Sequence, residues 1–205
     1  MAEPVPSDAH DAIPDGDPFA LFEAWFAQAT ASEPSDANAM ALATATPDGA
    51  PSLRMVLLKE HGPEGFVFYT NADSRKGREI AANPRAALLF HWKSLGRQVR
   101  LEGALEEVPA AMADAYFALR HPDSRLGSAA SDQSCPLNAR ATYLARVEAL
   151  RERYPQGDVP RPAHWTGYRL TPQRMEFWIS RPHRLHERRL FVRDGQRWTS
   201  GLLYP

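Results

Sequence analysis

The stretch "AMALATATPDGAPSLRMVLLKEHGPEGFVFYTN" (residues 39–71) decides the fold, because it crowds three β-like runs and the turn signals "PDGA" and "GPEG" into 33 residues. Tight turns between neighbouring strands leave no room for helical crossovers, so the pairing they imply is antiparallel. Two further runs, "RAALLFHW" (85–92) and "RQVRLEGALEEV" (97–108), continue the series. A succession of short antiparallel strands closes most readily into a barrel. One short helical pattern, "DSRKGREIAANP" (73–84), interrupts it. The expected class is mainly β with flanking helices.

The flanks supply those helices. "DPFALFEAWFAQA" (17–29) has an N-cap Asp17, a proline at the first helical position and apolar residues at Phe19, Phe22, Trp25, Phe26 and Ala29, so an amphipathic helix should run from there and end before Pro34. Residues 1–16, rich in Pro, Asp and Ala with almost nothing to bury, read as a flexible N-terminal arm, which leaves 17–205 as one domain. After Pro109, helical patterns cover 109–120 and 138–154. A Pro-rich connector, "YPQGDVPRPAHW" (154–165), then leads into a final β-like section from Trp165 onward.

Composition restricts the function classes. The chain has 205 residues, 43% of them hydrophobic, with 24 basic and 25 acidic side chains and a formal net charge of -1. That balance provides no overall field to hold a nucleic acid or an anionic membrane, so any anion must be met by local clusters. Cys135 is the only cysteine, which excludes an intramolecular disulfide and fits a reducing compartment. The first residues lack the basic start and apolar core of a signal peptide, and no stretch reaches the roughly 20 apolar residues of a membrane span. A cytoplasmic protein is expected.

Local clusters do exist. "RMVLLK" (54–59) is an apolar run suited to a strand buried on both faces, and strand alternation sends Arg54 and Lys59 to opposite sides of it. In the short helix, Asp73 or Ser74 can cap the first turn, where Arg75 and Lys76 meet the positive end of the macrodipole. A bound phosphate would turn that penalty into an attraction; the alternative is that both side chains extend into water. Read as a strand, "RLHER" (184–188) places Arg184, His186 and Arg188 on one face, either over an electron-rich ligand or on a solvated edge. His183 and His186 then face opposite ways, so no metal site is expected. In "YFALRHPDS" (116–124), Tyr116 and Arg120 share a helix face and Ser124 follows just beyond it, three donors suited to a phosphate monoester. Gln98 on a strand, Gln133 and Ser134 in a loop, and Trp178 on a strand are unremarkable taken singly.

Taken together, "RMVLLK", "FVFYTN", "SRKGREIAANPRAALLF", "RQVRLEG", "YFALR" with "DS", "SDQS", "EFW" and "HRLHER" resemble, in order and spacing, the pyridoxine (pyridoxamine) 5′-phosphate oxidase family, over about Asp17 to the C-terminus. The resemblance implies an FMN-binding split β-barrel, antiparallel and Greek-key-like, that forms a homodimer with FMN at the subunit interface. It implies that Arg54, Met55, Val56, Leu57, Leu58, Lys59, Tyr69, Thr70, Arg75, Lys76 and Gln98 contact FMN, joined by Gln133, Ser134, Trp178 and Arg188, partly from the other subunit. Arg54 would then face the FMN phosphate and Lys59 the substrate phosphate. Lys59, Tyr116, Arg120 and Ser124 are implied to hold that substrate phosphate, with Arg184, Leu185 and His186 against the pyridine ring and Arg184 and His186 assisting catalysis. The implied reaction is oxidation of pyridoxine 5′-phosphate or pyridoxamine 5′-phosphate at C4′ by way of FMN and O2, giving pyridoxal 5′-phosphate, H2O2 and, from the amine, ammonia.

The chain departs from that family in three places. The acidic N-terminal segment lacks an Arg-Arg-x-Tyr element, Ala129 stands where many relatives have tryptophan, and Leu202 replaces an arginine near the C-terminus. A related flavin oxidase acting on another ring, as in phenazine biosynthesis, would tend to lose the Lys59, Tyr116, Arg120 and Ser124 set. A non-catalytic flavin- or pyridoxal-phosphate-binding protein would not need Arg184 and His186.

Overall fold

The computed structural model describes residues 12–205. Helix α1 (Pro18–Ser32) starts as the sequence predicts: the Asp17 carboxylate accepts from the Phe19 N–H (3.0 Å), and Pro18 opens the first turn. Its inner face carries Leu21, Phe22, Trp25 and Ala29. Phe22 meets Phe66 and Phe90 edge-on, with ring centroids 4.8 and 5.2 Å away, which plugs the helix onto the sheet.

The sheet is built from β1 (Ala39–Ala45), β2 (Pro51–Leu57), β3 (Glu60–Gly62), β4 (Gly65–Asn71), β5 (Arg85–Trp92), β6 (Arg97–Glu107) and β7 (Trp165–Ile179) in the order β2-β1-β5-β6-β7-β4-β3. Every pairing is antiparallel. β2 and β3 stand at opposite ends of that order, yet only Leu58 and Lys59 separate them in sequence. The sheet must therefore curl until its ends meet, and the Lys59 N–H donates to the Val67 carbonyl (2.8 Å) at the seam. The expected mainly β barrel with flanking helices is the observed architecture. The ladder continues from β7 to β8 (Glu187–Asp194) and β9 (Arg197–Leu203). Phe66, Phe68, Leu88, Phe90, Val99, Leu101, Met175 and Phe177 fill the interior.

Helix α2 (Arg75–Ala82) sits tight against the end of β4. Ser74 caps it, and Gly77 permits the close approach, since a Cβ there would lie 2.0 Å from the Ala72 carbonyl oxygen. Gly77→Ala is expected to cost roughly 2–3 kcal/mol by displacing the helix from that strand. Chemical denaturation would measure it, and a loss below about 0.5 kcal/mol would mean the contact relaxes freely. Between β6 and β7 lie α3 (Ala110–Leu119), α4 (Pro122–Ala130) and α5 (Arg140–Arg153).

Four expectations need correction. β2 is not buried on both faces: Leu53, Met55 and Leu57 are 69%, 62% and 40% exposed, because β2 is an edge strand whose odd-numbered face no element of the protomer covers. Ser124 lies within α4, which the sequence reading missed because Gly127 and four polar residues blur its periodicity. Arg184 and His186 do not share a strand face with Arg188. His183 and Arg184 have left-handed φ values of 56° and 63° in a 3-10 turn spanning Pro182–Arg184, and β8 begins only at Glu187. Finally, the chain is anchored before Asp17. Ile13 is 1% exposed in the core, its N–H donates to the Glu187 carboxylate (2.6 Å), and its carbonyl accepts from Arg189 (2.9 Å). Residues 1–11 of the expected arm lie outside the described residues.

Among the described residues no helix is long and apolar enough to cross a membrane, and no cluster of three or more His, Cys, Asp or Glu side chains is placed to hold a metal.

Candidate active site

Arg75 and Lys76 are neighbours in sequence with opposite fates. Arg75 stays on the surface, its Nε donating to Glu79 Oε1 one turn along α2 (2.9 Å). Lys76 turns inward and is only 8% exposed. Its Nζ donates to Thr70 Oγ1 (3.0 Å), Ser74 Oγ (3.1 Å) and Gln133 Oε1 (2.6 Å), all neutral oxygens. Burial, with a smaller repulsion from Arg54, holds the ammonium down at about 8.

Arg54 points to the other side of β2. Its guanidinium donates to the Leu42 carbonyl (3.1 Å), Thr44 Oγ1 (2.6 Å), Ser52 and Glu79 Oε2 (3.3 Å). Burial pushes the Glu79 carboxyl up, but hydrogen bonds from Ser52, Thr44 and Arg75 and the Arg75 charge outweigh it and hold the group at about 2. Two cations, Arg54 and Arg75, therefore share the Glu79 carboxylate, and Lys76 beside them has no counterion among the described residues. A buried ammonium facing only neutral donors and acceptors favours a bound anion.

A second cationic corner lies across the same cleft. The rings of Tyr69, Tyr116 and Trp165 are nearly parallel, with Tyr69 centred 4.2 Å from Tyr116 and 5.2 Å from Trp165. Lys59 Nζ lies 5.8 Å from the Tyr116 ring centre, and the Arg120 guanidinium 5.1 Å from that of Trp165. Burial, then the nearby Glu60 carboxylate, pushes the Tyr69 phenol up to about 12, so it remains a neutral donor to Glu60 Oε1 (3.3 Å). The cleft between the corners has a volume of about 490 Å3. Lys76, Thr70 and Gln133 line one part and Lys59, Tyr116, Arg120 and Trp165 another, and Met55, Val56, Leu57 and Ser124 also line the cleft.

Sulfate, whose charge is constant between pH 7 and 9, reports Lys76 directly. A lysine that titrates near 8 in the ligand-free protein is mostly charged at pH 7 and mostly neutral at pH 9. Sulfate affinity is expected to fall about tenfold over that interval and to stay level in Lys76→Met. A flat profile in the parent protein, measured by calorimetry, would remove Lys76 as the anion anchor.

Residues 26–154 match the family described as pyridoxamine 5′-phosphate oxidase. The chain belongs to the pyridoxamine 5′-phosphate oxidase family. Residues 165–205 match the region described as the pyridoxine 5′-phosphate oxidase C-terminal dimerisation region. The chain is similar to the pyridoxine/pyridoxamine 5′-phosphate oxidase of Novosphingobium aromaticivorans, 69% identical over 196 residues covering 95% of this chain and 97% of that one. It is also 66% identical to that of Sphingopyxis alaskensis, over 92% of this chain and 88% of the relative. Among solved structures it resembles PhzG from Burkholderia lata 383 in complex with tetrahydrophenazine-1-carboxylic acid, at TM-score 0.89 and 32% identity over 99% of this chain and 98% of that one.

Most of the remaining residues singled out in the sequence lie in the segment matched to the dimerisation region, away from the cleft. Gln98 pairs with Trp178 across β6–β7, and Trp178 pairs with Arg188 across β7–β8. The Trp178 and His186 rings are centred 4.6 Å apart. Arg188 donates through Nε to buried Glu176 (2.8 Å) and through Nη1 to the Tyr204 carbonyl (2.9 Å). His186 Nδ1 accepts from the Arg181 N–H (3.1 Å), while Arg184 and Leu185 are exposed. Leu58 packs in the core, and Ser134 lines a separate recess with Cys135. One protomer thus brings Met55, Val56, Leu57, Lys59, Tyr69, Thr70, Lys76, Tyr116, Arg120, Ser124 and Gln133 around one cleft. It does not bring Arg54, Leu58, Arg75, Gln98, Ser134, Trp178, Arg184, Leu185, His186 or Arg188 to it. Sequence reasoning missed Asn71, His121, Ser128, Ser131 and Trp165, which also line the cleft. Ser128, four residues after Ser124, would have been found had α4 been recognised.

Proposed function

We propose that this chain is an FMN-dependent oxidase that converts pyridoxine 5′-phosphate and pyridoxamine 5′-phosphate to pyridoxal 5′-phosphate, acting as a homodimer. The observation that carries the reading is one cleft with two cationic corners, one around Lys76 and one around Lys59 and Arg120, in a chain 69% identical to a protein bearing that activity's name. Two phosphates, one from the cofactor and one from the substrate, match two corners.

Lys76, Thr70 and Gln133 with the α2 N-terminus would hold the FMN phosphate, assisted at longer range by Arg54 and Arg75. The uncompensated Lys76 ammonium fits that assignment. When bound, FMN supplies the two-electron acceptor, which O2 reoxidises with formation of H2O2. Lys59 and Arg120 neutralise the substrate phosphate while Tyr116 and Ser124 donate to it, which anchors the substrate for oxidation at C4′. The alcohol and O2 give the aldehyde and H2O2; the amine consumes one water in addition and releases ammonia.

Gln98, Ser134, Trp178 and Arg188, together with Arg184, Leu185 and His186, reach the composite site from the second subunit. The exposed apolar face of Leu53, Met55 and Leu57 is a surface that a second copy would cover. Because His186 Nδ1 accepts a backbone N–H, the neutral imidazole carries its proton on Nε2. His186 is thereby a donor suited to orienting an oxygen of the substrate ring, with exposed Arg184 beside it.

The test is the visible spectrum of FMN-loaded protein under anaerobic conditions. Adding pyridoxine 5′-phosphate should bleach the flavin band, and admitting oxygen should restore it with one pyridoxal 5′-phosphate per turnover. A band that responds to neither the alcohol nor the amine would overturn the substrate assignment. Bleaching by a reduced phenazine carboxylic acid instead would shift the reading toward the chemistry of the PhzG neighbour.

A further inference from the structure

We infer that Ser128 and Trp165 are positioning residues for Arg120 and set the enzyme's selectivity for a phosphorylated substrate. The inference rests on the reading above, in which Arg120 meets the substrate phosphate.

Arg120 is the residue at which α3 ends, with φ -72° and ψ 150°, so its side chain leaves the helix and keeps only the Phe117 ring of α3 beside it. It is partly buried and makes no ion pair with a carboxylate among the described residues. Burial lowers its pKa, as expected for a cation removed from water without a counterion. Three side chains hold it instead. Arg120 Nη1 donates to Ser128 Oγ (2.7 Å), and the guanidinium carbon lies 5.1 Å from the Trp165 ring centre and 5.7 Å from that of Phe117.

A guanidinium has five N–H donors in a rigid fork. One hydrogen bond to Ser128 and a contact with Trp165 fix the position of the fork while leaving most of its donors for a ligand. Ser128 lies one helical turn after Ser124 on α4, so both hydroxyls face the cleft, one toward the ligand and one toward the arginine. Trp165, the first residue of β7, also lies in the parallel group with Tyr69 and Tyr116. A single ring thus places both Arg120 and the Tyr116 phenol relative to the barrel. Without these contacts the arginine would be drawn toward solvent, and substrate would have to order it again at each binding event.

The consequence is confined to substrates that carry a phosphate. Ser128→Ala is expected to raise KM for pyridoxine 5′-phosphate about tenfold, as for the loss of a hydrogen bond to a charged group, with kcat kept within about twofold. Unphosphorylated pyridoxine should keep its low kcat/KM unchanged, and Ser128→Thr should restore the parent KM because the hydroxyl returns. Trp165→Leu should produce the same split and Trp165→Phe a smaller one. Affinity of the FMN-loaded enzyme for pyridoxal 5′-phosphate, measured by equilibrium titration, should weaken in parallel with KM. An unchanged KM in Ser128→Ala, or an equal loss for both substrates, would overturn the inference while leaving the function in place. If the parent enzyme failed to prefer the phosphorylated substrate, the assignment of Arg120 and the inference would both fall.

Discussion

Mixing Arg120→Met protein with Arg184→Leu protein, followed by subunit exchange, is expected to restore about a quarter of parent activity from two preparations that are each nearly inactive. Arg120 lines the cleft in the segment matched to residues 26–154, whereas Arg184 lies on an exposed turn near the C-terminus. If each site combines one subunit's cleft with the other subunit's turn, a mixed dimer has one doubly damaged site and one intact site. About half of randomly exchanged dimers are mixed, which gives the expected quarter. Arg120→Met alone should lower kcat/KM by roughly a hundredfold or more, since it removes a charged phosphate contact from a partly desolvated site. Arg184→Leu should instead act mainly on kcat. If the mixture remains as inactive as its components although exchange is demonstrated by mass, each site is built within one chain.

Lys76→Met is expected to make the ligand-free protein more stable and the FMN complex much weaker. In the folded chain Lys76 is held at about 8, below its ordinary value of 10.5, so the charged form is disfavoured by folding. A lysine whose folded pKa is depressed costs stability most fully below that folded value, and the cost fades as pH rises toward the unfolded value. A shift of this size corresponds to roughly 3 kcal/mol. Part of it is offset in the variant by oxygens of Thr70, Ser74 and Gln133 that lose their donor, so a net gain of roughly 1–2 kcal/mol is expected at pH 7. The gain should vanish near pH 10. FMN affinity should fall roughly a hundredfold, because a desolvated ammonium facing a phosphate makes a strong charge-assisted contact. Denaturation of the apoprotein and fluorescence titration with FMN separate the two effects. A variant that is less stable at pH 7 and binds FMN as tightly as the parent would reverse the role given to Lys76.

These outcomes depend on features of very different legibility. The antiparallel strand series between Ala39 and Val108, the cap and first turn of α1 and the short helix α2 were all readable, since turn chemistry, capping and period-2 or 3.6 alternation act over a few residues. The residue types of the substrate-phosphate corner were readable for the same reason, because Tyr116 and Arg120 lie on one short segment. α4 was not, since its weak periodicity concealed both the placement of Ser124 and the existence of Ser128 as a partner for Arg120.

By itself the sequence determined that the chain forms an antiparallel barrel with flanking helices and that its cations come in local clusters suited to phosphates. Only the tertiary structure decided what each cation meets. Arg75 and Lys76 are adjacent, and no local rule separates them; the seating of α2 against β4 leaves Arg75 on the surface, paired with the buried Glu79 carboxylate, and turns Lys76 into a buried site. Arg54 and Lys59 were expected on opposite faces, but which one would find a carboxylate of its own chain depended on Glu79, 25 residues away from Arg54. The cleft joins residues from β2, β4, α2, α3, α4 and β7, and the register of a curled sheet sets their distances. Local sequence selects the conformation of each segment. The pairing of segments far apart in the chain is selected by burial and hydrogen bonding of the whole barrel, and the site belongs to that second level.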